Sequence, residues 1–363
     1  MLRTITTALV LVSVSTVSAE VSIDELISEA GLAEGPTAVR DLPRWNGARR
    51  ILYGRAVDEL EILQTLLPDT EFVIAQSETE AIEKAADVDA IIGMCTERLV
   101  AAASNVVWIQ IFSAGAEDCV GLPSVTSGKV VLTNMQKMSS PVIGEHAVAM
   151  MLALARRIPV FAKGMKTGAW MRSTETTSAM FPVSGKTMLV VGLGGIGTEA
   201  AKRGAALGMK VIATRNRGRD GPPFVSYVGS SDELLDLAGR ADVIVNALPL
   251  TEATRGLLGA EFFGATKAGA LFINVGRGGT VDTGALTEAI RSGQLGGAGL
   301  DVTDPEPLPA DHPLWQFDNV IITPHVASRG GERERKFVLL KENLSRYAAG
   351  DPLLNVVDPE RGY

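Results

Sequence analysis

The chain has 363 residues, 46% of them apolar and 21% charged, which suits two domains with sizeable cores and excludes an intrinsically disordered chain. Its 34 Lys and Arg against 42 Asp and Glu give a formal net charge of −8 with 5% aromatics, which argues against a nucleic-acid partner needing a basic face and stacking side chains. Two cysteines, Cys95 and Cys119, exclude a disulfide framework and a four-thiolate zinc site, and no metal site is expected. Any imidazole chemistry must use His146, His312 or His325.

In chain order the first object is residues 1–19. Arg3 is its one charge, an apolar run follows from Ile5 to Val17, and it closes Val17-Ser18-Ala19. That pattern predicts a secretory signal peptide, too short to cross a bilayer as a helix, with a misassigned start or a disordered extension as the alternative. Export to the periplasm or medium follows if it is cleaved, and a cytoplasmic location if it is not. No other segment approaches a membrane span. The two cysteines are expected as buried free thiols, although an oxidising compartment would allow them to pair.

From Arg49 onward short apolar runs alternate with helical patterns. Arg50–Tyr53, Phe72–Ala75, Ala90–Met94, Val107–Phe112 and Val130–Thr133 read as strands, with helices such as Val57–Leu67 and Glu78–Ala86 between them. This alternation predicts a parallel sheet covered on both faces. Ile143–Arg157 reads as a long connecting helix, followed by a loop over Ser173–Gly185. A second series has strands at Met188–Val191, Lys210–Thr214, Val243–Leu248, Ala270–Val275, Gly299–Val302 and Val320–Thr323. A helix entered through glycines spans Gly192–Leu207, and others are expected at Glu233–Ala238 and Gly284–Ile290. The last helix, Gly330–Ala349, is expected to pack back on the first domain.

Gly192-Leu193-Gly194-Gly195-Ile196-Gly197 fits G-x-G-x-x-G between a strand and a helix, the context that a dinucleotide needs. Gly192 permits the turn, Gly194 lets the backbone approach a pyrophosphate, Gly197 lets helix and strand pack, and the N–H groups near Gly195 and Ile196 bind phosphate. An NAD site would carry an acid about 20 residues on, to hold the ribose diol. Thr214-Arg215-Asn216-Arg217 stands there instead, and Arg215 and Arg217 suit a 2′-phosphate. Three more clusters follow apolar strands: Asn274-Val275-Gly276-Arg277, Asp301 with Glu306, and Thr323-Pro324-His325. An Arg, an acid and a His at the ends of parallel strands form an acid–base constellation. His146, beside Glu145, is expected to be structural or domain-linking, and His312 a loop residue. Trp170 and Trp315 are expected in core packing, with the border of the substrate pocket as the alternative.

From about Ala90 to the end the chain resembles the D-isomer-specific 2-hydroxy-acid dehydrogenase family. The matching stretches are Gly192–Gly197, Leu248-Pro249-Leu250-Thr251 with Thr254-Arg255-Gly256, Asn274–Asp282, Gly299–Pro307 and Thr323–His325. The resemblance implies an α/β fold of two doubly wound parallel-sheet domains, with a Rossmann domain (142–326) inserted in a flavodoxin-like substrate domain (48–141 and 327–363). It implies that Arg277 binds the substrate carboxylate and polarises the oxo group, that Glu306 pairs with His325, and that Asp301 contacts the nicotinamide amide. Leu248, Thr254, Val275 and Gly276 are expected along the cofactor with Asn216. Phe112-Ser113-Ala114-Gly115 resembles the family's substrate loop, placing Ser113, Ala114 and Gly115 at the carboxylate. Arg215 replaces the family's NAD-selecting aspartate, so NADP is implied over NAD.

The implied activity is hydride transfer between NADPH and a 2-oxo acid, giving a D-2-hydroxy acid, by a homodimer. Glyoxylate, hydroxypyruvate and bulkier 2-oxo acids are all open as substrates. The competing reading is a nucleotide-binding scaffold or envelope protein without turnover; Arg277, Glu306 and His325 favour the enzyme.

Overall fold

A computed structural model describes residues 21–54, 60–173, 177–216 and 218–362. The expected leader and Arg217 lie outside the described residues, as do the first positions of the expected 57–67 helix.

The strands in chain order are β1 (Glu34–Ala38), β2 (Arg50–Tyr53), β3 (Glu71–Ile74), β4 (Ala90–Ile92), β5 (Trp108–Gln110), β6 (Val131–Thr133), β7 (Thr187–Val191), β8 (Lys210–Thr214), β9 (Tyr227–Gly229), β10 (Val243–Asn246), β11 (Ala270–Asn274), β12 (Leu295–Leu300), β13 (Val320–Ile322) and β14 (Pro352–Leu354). Five form a parallel sheet ordered β3-β2-β4-β5-β6, and seven form another ordered β13-β12-β11-β10-β7-β8-β9. The first is the flavodoxin-like order and the second the Rossmann order extended by β13. Central strands such as Met188–Val191 and Val243–Val245 are buried on both faces, as continuous apolar runs require.

β12 differs from its expected span of 299–302. Its sequence, Leu-Gly-Gly-Ala-Gly-Leu, lacks the β-branched residues that mark a strand, because the neighbours crowd it. A Cβ on Gly297 would stand 2.7 Å from the Asn319 carbonyl oxygen, and one on Gly299 would stand 2.9 Å from Met150 Cβ.

The connecting helix runs Ser140–Ala155, three residues ahead of the expected start. Pro141 in its first turn is tolerated because no intrahelical N–H is lost there. It buries Ala147, Met151 and Leu154 on the side that packs against β11 and β12. The last helix, Glu332–Ala349, places Leu339, Leu340, Leu344 and Tyr347 in the core under the five-stranded sheet, with Ile51, Tyr53 and Trp108. The chain thus builds one sheet, crosses to the second and returns to the first.

Three expectations are corrected. A helix at Ile23–Ala30, opened by a Ser22/Glu25 capping box, precedes the first expected element, and β1 pairs antiparallel with β14. These pieces are too short for periodicity and gain order by joining opposite ends of the chain. Cys95 and Cys119 are paired as a disulfide, their Cα atoms 5.9 Å apart, where free thiols were expected. The turn after β4 and the helix Glu117–Val120 are neighbours only in the folded sheet. Trp170 is 92% and Trp315 47% exposed, so neither packs a core. Trp170 lies just beyond the glycine cap of the Ile158–Thr167 helix, and the Trp315 indole N–H donates to the Pro309 carbonyl at 2.9 Å.

Candidate active site

β7 ends in the glycine turn, beside the end of β10, where the strand order of the seven-stranded sheet reverses. Gly192 has φ +93°, and a Cβ there would press on the Ala247 carbonyl at 3.2 Å. The helix begins at Gly195, not Gly192, because Gly192–Gly194 form the turn itself. A Cβ on Gly197 would collide with the Gly192 carbonyl oxygen and stand 2.8 Å from Val190 Cγ1, so helix and strand touch through a missing side chain. Gly194 is the opposite case: its Cβ would meet nothing within 4 Å. The N–H groups of Gly194, Gly195 and Ile196 donate to no protein acceptor among the described residues. Open donors at the start of a twelve-residue helix are an anion site, and the open face at Gly194 fits a dinucleotide pyrophosphate.

β8 delivers Thr214, Arg215 and Asn216 to the same end. The Arg215 N–H donates to the Gly229 carbonyl at 3.0 Å, and its Nη1 to the Asp220 carbonyl at 3.1 Å. Its loop is tied down by Arg219, which bridges to Glu233 at 2.6 Å. Hydrogen bonds from Tyr227 and Arg219 hold the Glu233 carboxyl at about 2 rather than its ordinary 4.5. Lys137 is a second cation here that sequence reasoning missed. Its Cγ would stand 3.0 Å from a Cβ on Gly195, and its Nζ donates to the Gly31 carbonyl at 2.6 Å. Burial, and then the nearby Arg215, push its ammonium below the usual lysine range. Lys137 and Arg215, with no acidic residue directly after β8, suit a phosphorylated ribose.

Arg277 follows β11. Its backbone is fixed from below by buried amides: Asn246 Nδ2 donates to Asn274 Oδ1 at 3.0 Å and to Thr280 Oγ1 at 2.8 Å, and the Thr280 hydroxyl donates to the Arg277 carbonyl at 2.7 Å. Asn274 Oδ1 also accepts the Gly276 N–H at 3.1 Å. A Cβ on Gly276 would lie 2.7 Å from the Leu248 carbonyl oxygen, so Leu248 and Gly276 meet backbone to backbone. Val275 is buried beneath them. Thr254 closes the 249–254 loop, its hydroxyl donating to the Pro249 carbonyl at 2.7 Å. Asparagines closing two apolar strands, Asn246 and Asn274, were a visible signal of this network.

Glu306 and His325 are brought together: Nδ1 lies 2.9 Å from Glu306 Oε2, while Oε1 accepts the Thr303 N–H at 3.0 Å. His325 has φ +53°, and its N–H donates to the Asp301 carbonyl at 2.8 Å. The Asp301 carboxylate is buried and accepts from Thr323 Oγ1, Val326 N–H and Ala327 N–H at 2.6, 2.9 and 3.0 Å. It therefore holds the turn that presents His325. His146 Nε2 lies 2.9 Å from Thr323 Oγ1, extending that chain of hydrogen bonds to the connecting helix. His312 accepts the Leu314 N–H and caps a short turn.

The loop after β5 faces Arg277 from the other sheet. Its carbonyls are taken: Ser113 accepts the Met135 N–H at 2.9 Å, Ala114 accepts Asn134 Nδ2 at 2.7 Å, and Gly115 accepts the Ser113 hydroxyl at 2.7 Å. The Ala114 and Gly115 N–H groups donate to no protein acceptor among the described residues. Sequence reasoning missed Glu117, whose Oε1 lies 2.9 Å from Arg277 Nε. Nothing in the sequence links the two, since they are 160 positions apart. Among the described residues no group of three or more His, Cys, Asp or Glu side chains could hold a metal, and no helix is long and apolar enough to cross a membrane.

Two doubly wound sheets, a glycine turn at the switch point of one, and an Arg with a Glu–His pair on its neighbouring strand ends define a nucleotide-linked oxidoreductase. The family model described as D-isomer specific 2-hydroxyacid dehydrogenase, NAD binding domain, matches residues 148–327. A glyoxylate reductase of Thermofilum pendens is 33% identical over 281 residues, 76% of this chain and 83% of that protein. A D-3-phosphoglycerate dehydrogenase of Archaeoglobus fulgidus is 34% identical over 299 residues, 80% of this chain, which spans about half of that relative, 52%. A solved 2-hydroxyacid dehydrogenase from Xanthobacter autotrophicus, in complex with NADPH and MES, superposes with a TM-score of 0.74 at 31% identity, covering 88% of this chain and 100% of that one. The chain belongs to the D-isomer-specific 2-hydroxyacid dehydrogenase family.

Proposed function

We propose that the protein reduces a 2-oxo acid to a D-2-hydroxy acid with NADPH. The observation that carries this is the placement of Arg277, Glu306 and His325 after adjacent parallel strands β11, β12 and β13, with the Glu306–His325 pair formed. NADPH bound at the glycine turn supplies the hydride. Arg277 holds the substrate carboxylate and steadies the charge that grows on the oxo oxygen. The Ala114 and Gly115 N–H groups add donors to that carboxylate. Glu306 fixes the ring of His325 through Nδ1, leaving Nε2 to hold the proton for the oxo oxygen. Asp301 serves by holding the His325 turn, and its family role at the nicotinamide amide is part of this reading. Arg215 and Asn216 serve the 2′-phosphate side, with Arg217.

The division into a substrate domain (48–141 and 327–363) and a nucleotide domain (142–326) belongs to the same proposal. So does a homodimer. Ile158, Met165 and Trp170, which are 52%, 82% and 92% exposed, give one stretch an apolar surface that a second copy could cover. Cleavage of residues 1–19 and export accord with the Cys95–Cys119 pair, which suits an oxidising compartment. N-terminal sequencing from the native host checks the cleavage, and sedimentation checks the dimer.

The experiment for the activity is a panel of 2-oxo acids offered to the full chain with NADPH and NADH. Turnover with NADPH is expected. Tight NADPH binding without turnover of any member would favour the scaffold instead.

A further inference from the structure

Arg277 has five N–H donors in a rigid fork. Two are committed in the structure. Nε donates to Glu117 Oε1 at 2.9 Å, from the loop after β5, and Nη1 donates to the Gly276 carbonyl at 3.0 Å, from its own strand end. The two anchors come from different sheets, and together they fix the plane of the guanidinium. The remaining donors, both on Nη2 and one on Nη1, form the edge that a carboxylate takes in bidentate fashion. Gly115 supplies an independent observation. A Cβ there would collide with both Arg277 Nη2 and Glu117 Oε2, so the ion pair lies directly against the substrate loop. Glu117 is itself anchored, since its short helix carries Cys119, which is bonded to Cys95. The pair is partly exposed, and such pairs add little to stability. Its consequence is orientation.

We infer that Glu117 is the positioning residue for Arg277, holding its Nε so that the Nη edge faces the carboxylate of a 2-oxo acid across the two sheets. The inference rests on the reading of Arg277 as the carboxylate-binding group. Without Glu117 the side chain regains its rotamers, and substrate binding must order it again.

The test is steady-state kinetics with glyoxylate and NADPH on the full chain, with NADPH affinity measured separately by fluorescence titration. Glu117→Ala is expected to raise KM for the 2-oxo acid roughly tenfold or more. Its effect on kcat should be smaller, and its NADPH affinity should match that of the native chain. Glu117→Gln, whose amide oxygen still accepts from Nε, is expected to recover most of the loss. In an Arg277→Ala background, Glu117→Ala should add nothing, because it acts through that arginine. An unchanged KM in Glu117→Ala, or an equal further loss in the Arg277→Ala background, would overturn the inference. If Arg277→Ala itself leaves KM unchanged, the reading of Arg277 fails rather than that of Glu117 alone.

Discussion

The buried carboxylate of Asp301 accepts the Thr323 hydroxyl at 2.6 Å, and this bond joins the end of β12 to the turn that carries His325. With the Val326 and Ala327 N–H groups it receives three donors in all. Asp301→Asn turns one acceptor oxygen into an NH2 group facing a donor. An unsatisfied buried group costs about 1–3 kcal/mol. The urea midpoint should fall accordingly, and turnover with it. Native stability in this variant would mean that backbone bonds alone hold the turn.

His325→Ala is expected to lower kcat roughly 10²-fold or more, the worth of a positioned proton donor, with NADPH affinity kept. His146→Ala removes a ring that bonds Thr323 and should cost much less. Equal losses in the two variants would take the proton-donor role from His325.

Arg215→Asp should weaken NADPH by about 10- to 150-fold, the worth of a charge-assisted hydrogen bond, while NADH changes little. The measurement is kcat/KM for both cofactors at low and high salt, and the native preference for NADPH should fade as salt rises. A native preference for NADH would reduce Arg215 to a surface cation.

Glu233 braces the Arg215 loop through Arg219. Its folded pKa of about 2 lies below the ordinary 4.5, so the unfolded chain binds more protons between the two values. Its stabilising contribution is complete above 4.5 and is lost as pH falls toward 2. Glu233→Gln should therefore melt below the native protein at neutral pH, with the gap closing in acid. A gap independent of pH would show that the charge is not what braces the loop.

The glycine turn separates two kinds of glycine. Gly197→Ala forces a Cβ into the Gly192 carbonyl and should lower the melting temperature even without cofactor. Gly194→Ala points a Cβ into open space, so melting without cofactor should be unchanged while NADPH binding weakens. Calorimetry with and without NADPH checks both, and equal melting losses would contradict the assignment of Gly194 to the phosphates.

The sequence by itself determined the parallel strands, the glycine turn and the arginine, glutamate and histidine after the outer strands. Those are local patterns: an apolar run buried on both faces, a turn that only glycine can make, a polar residue directly after a strand. It misplaced β12, because glycines demanded by crowding from Met150 and Asn319 look like a break in a strand. Only the tertiary structure decided what lies across the sheets. Glu117 meets Arg277, Lys137 reaches the start of the nucleotide helix, Cys95 pairs with Cys119, and β1 finds β14 from the far end of the chain. Each joins segments far apart in sequence, and their approach is set by how strands order and helices pack. No residue carries that information alone.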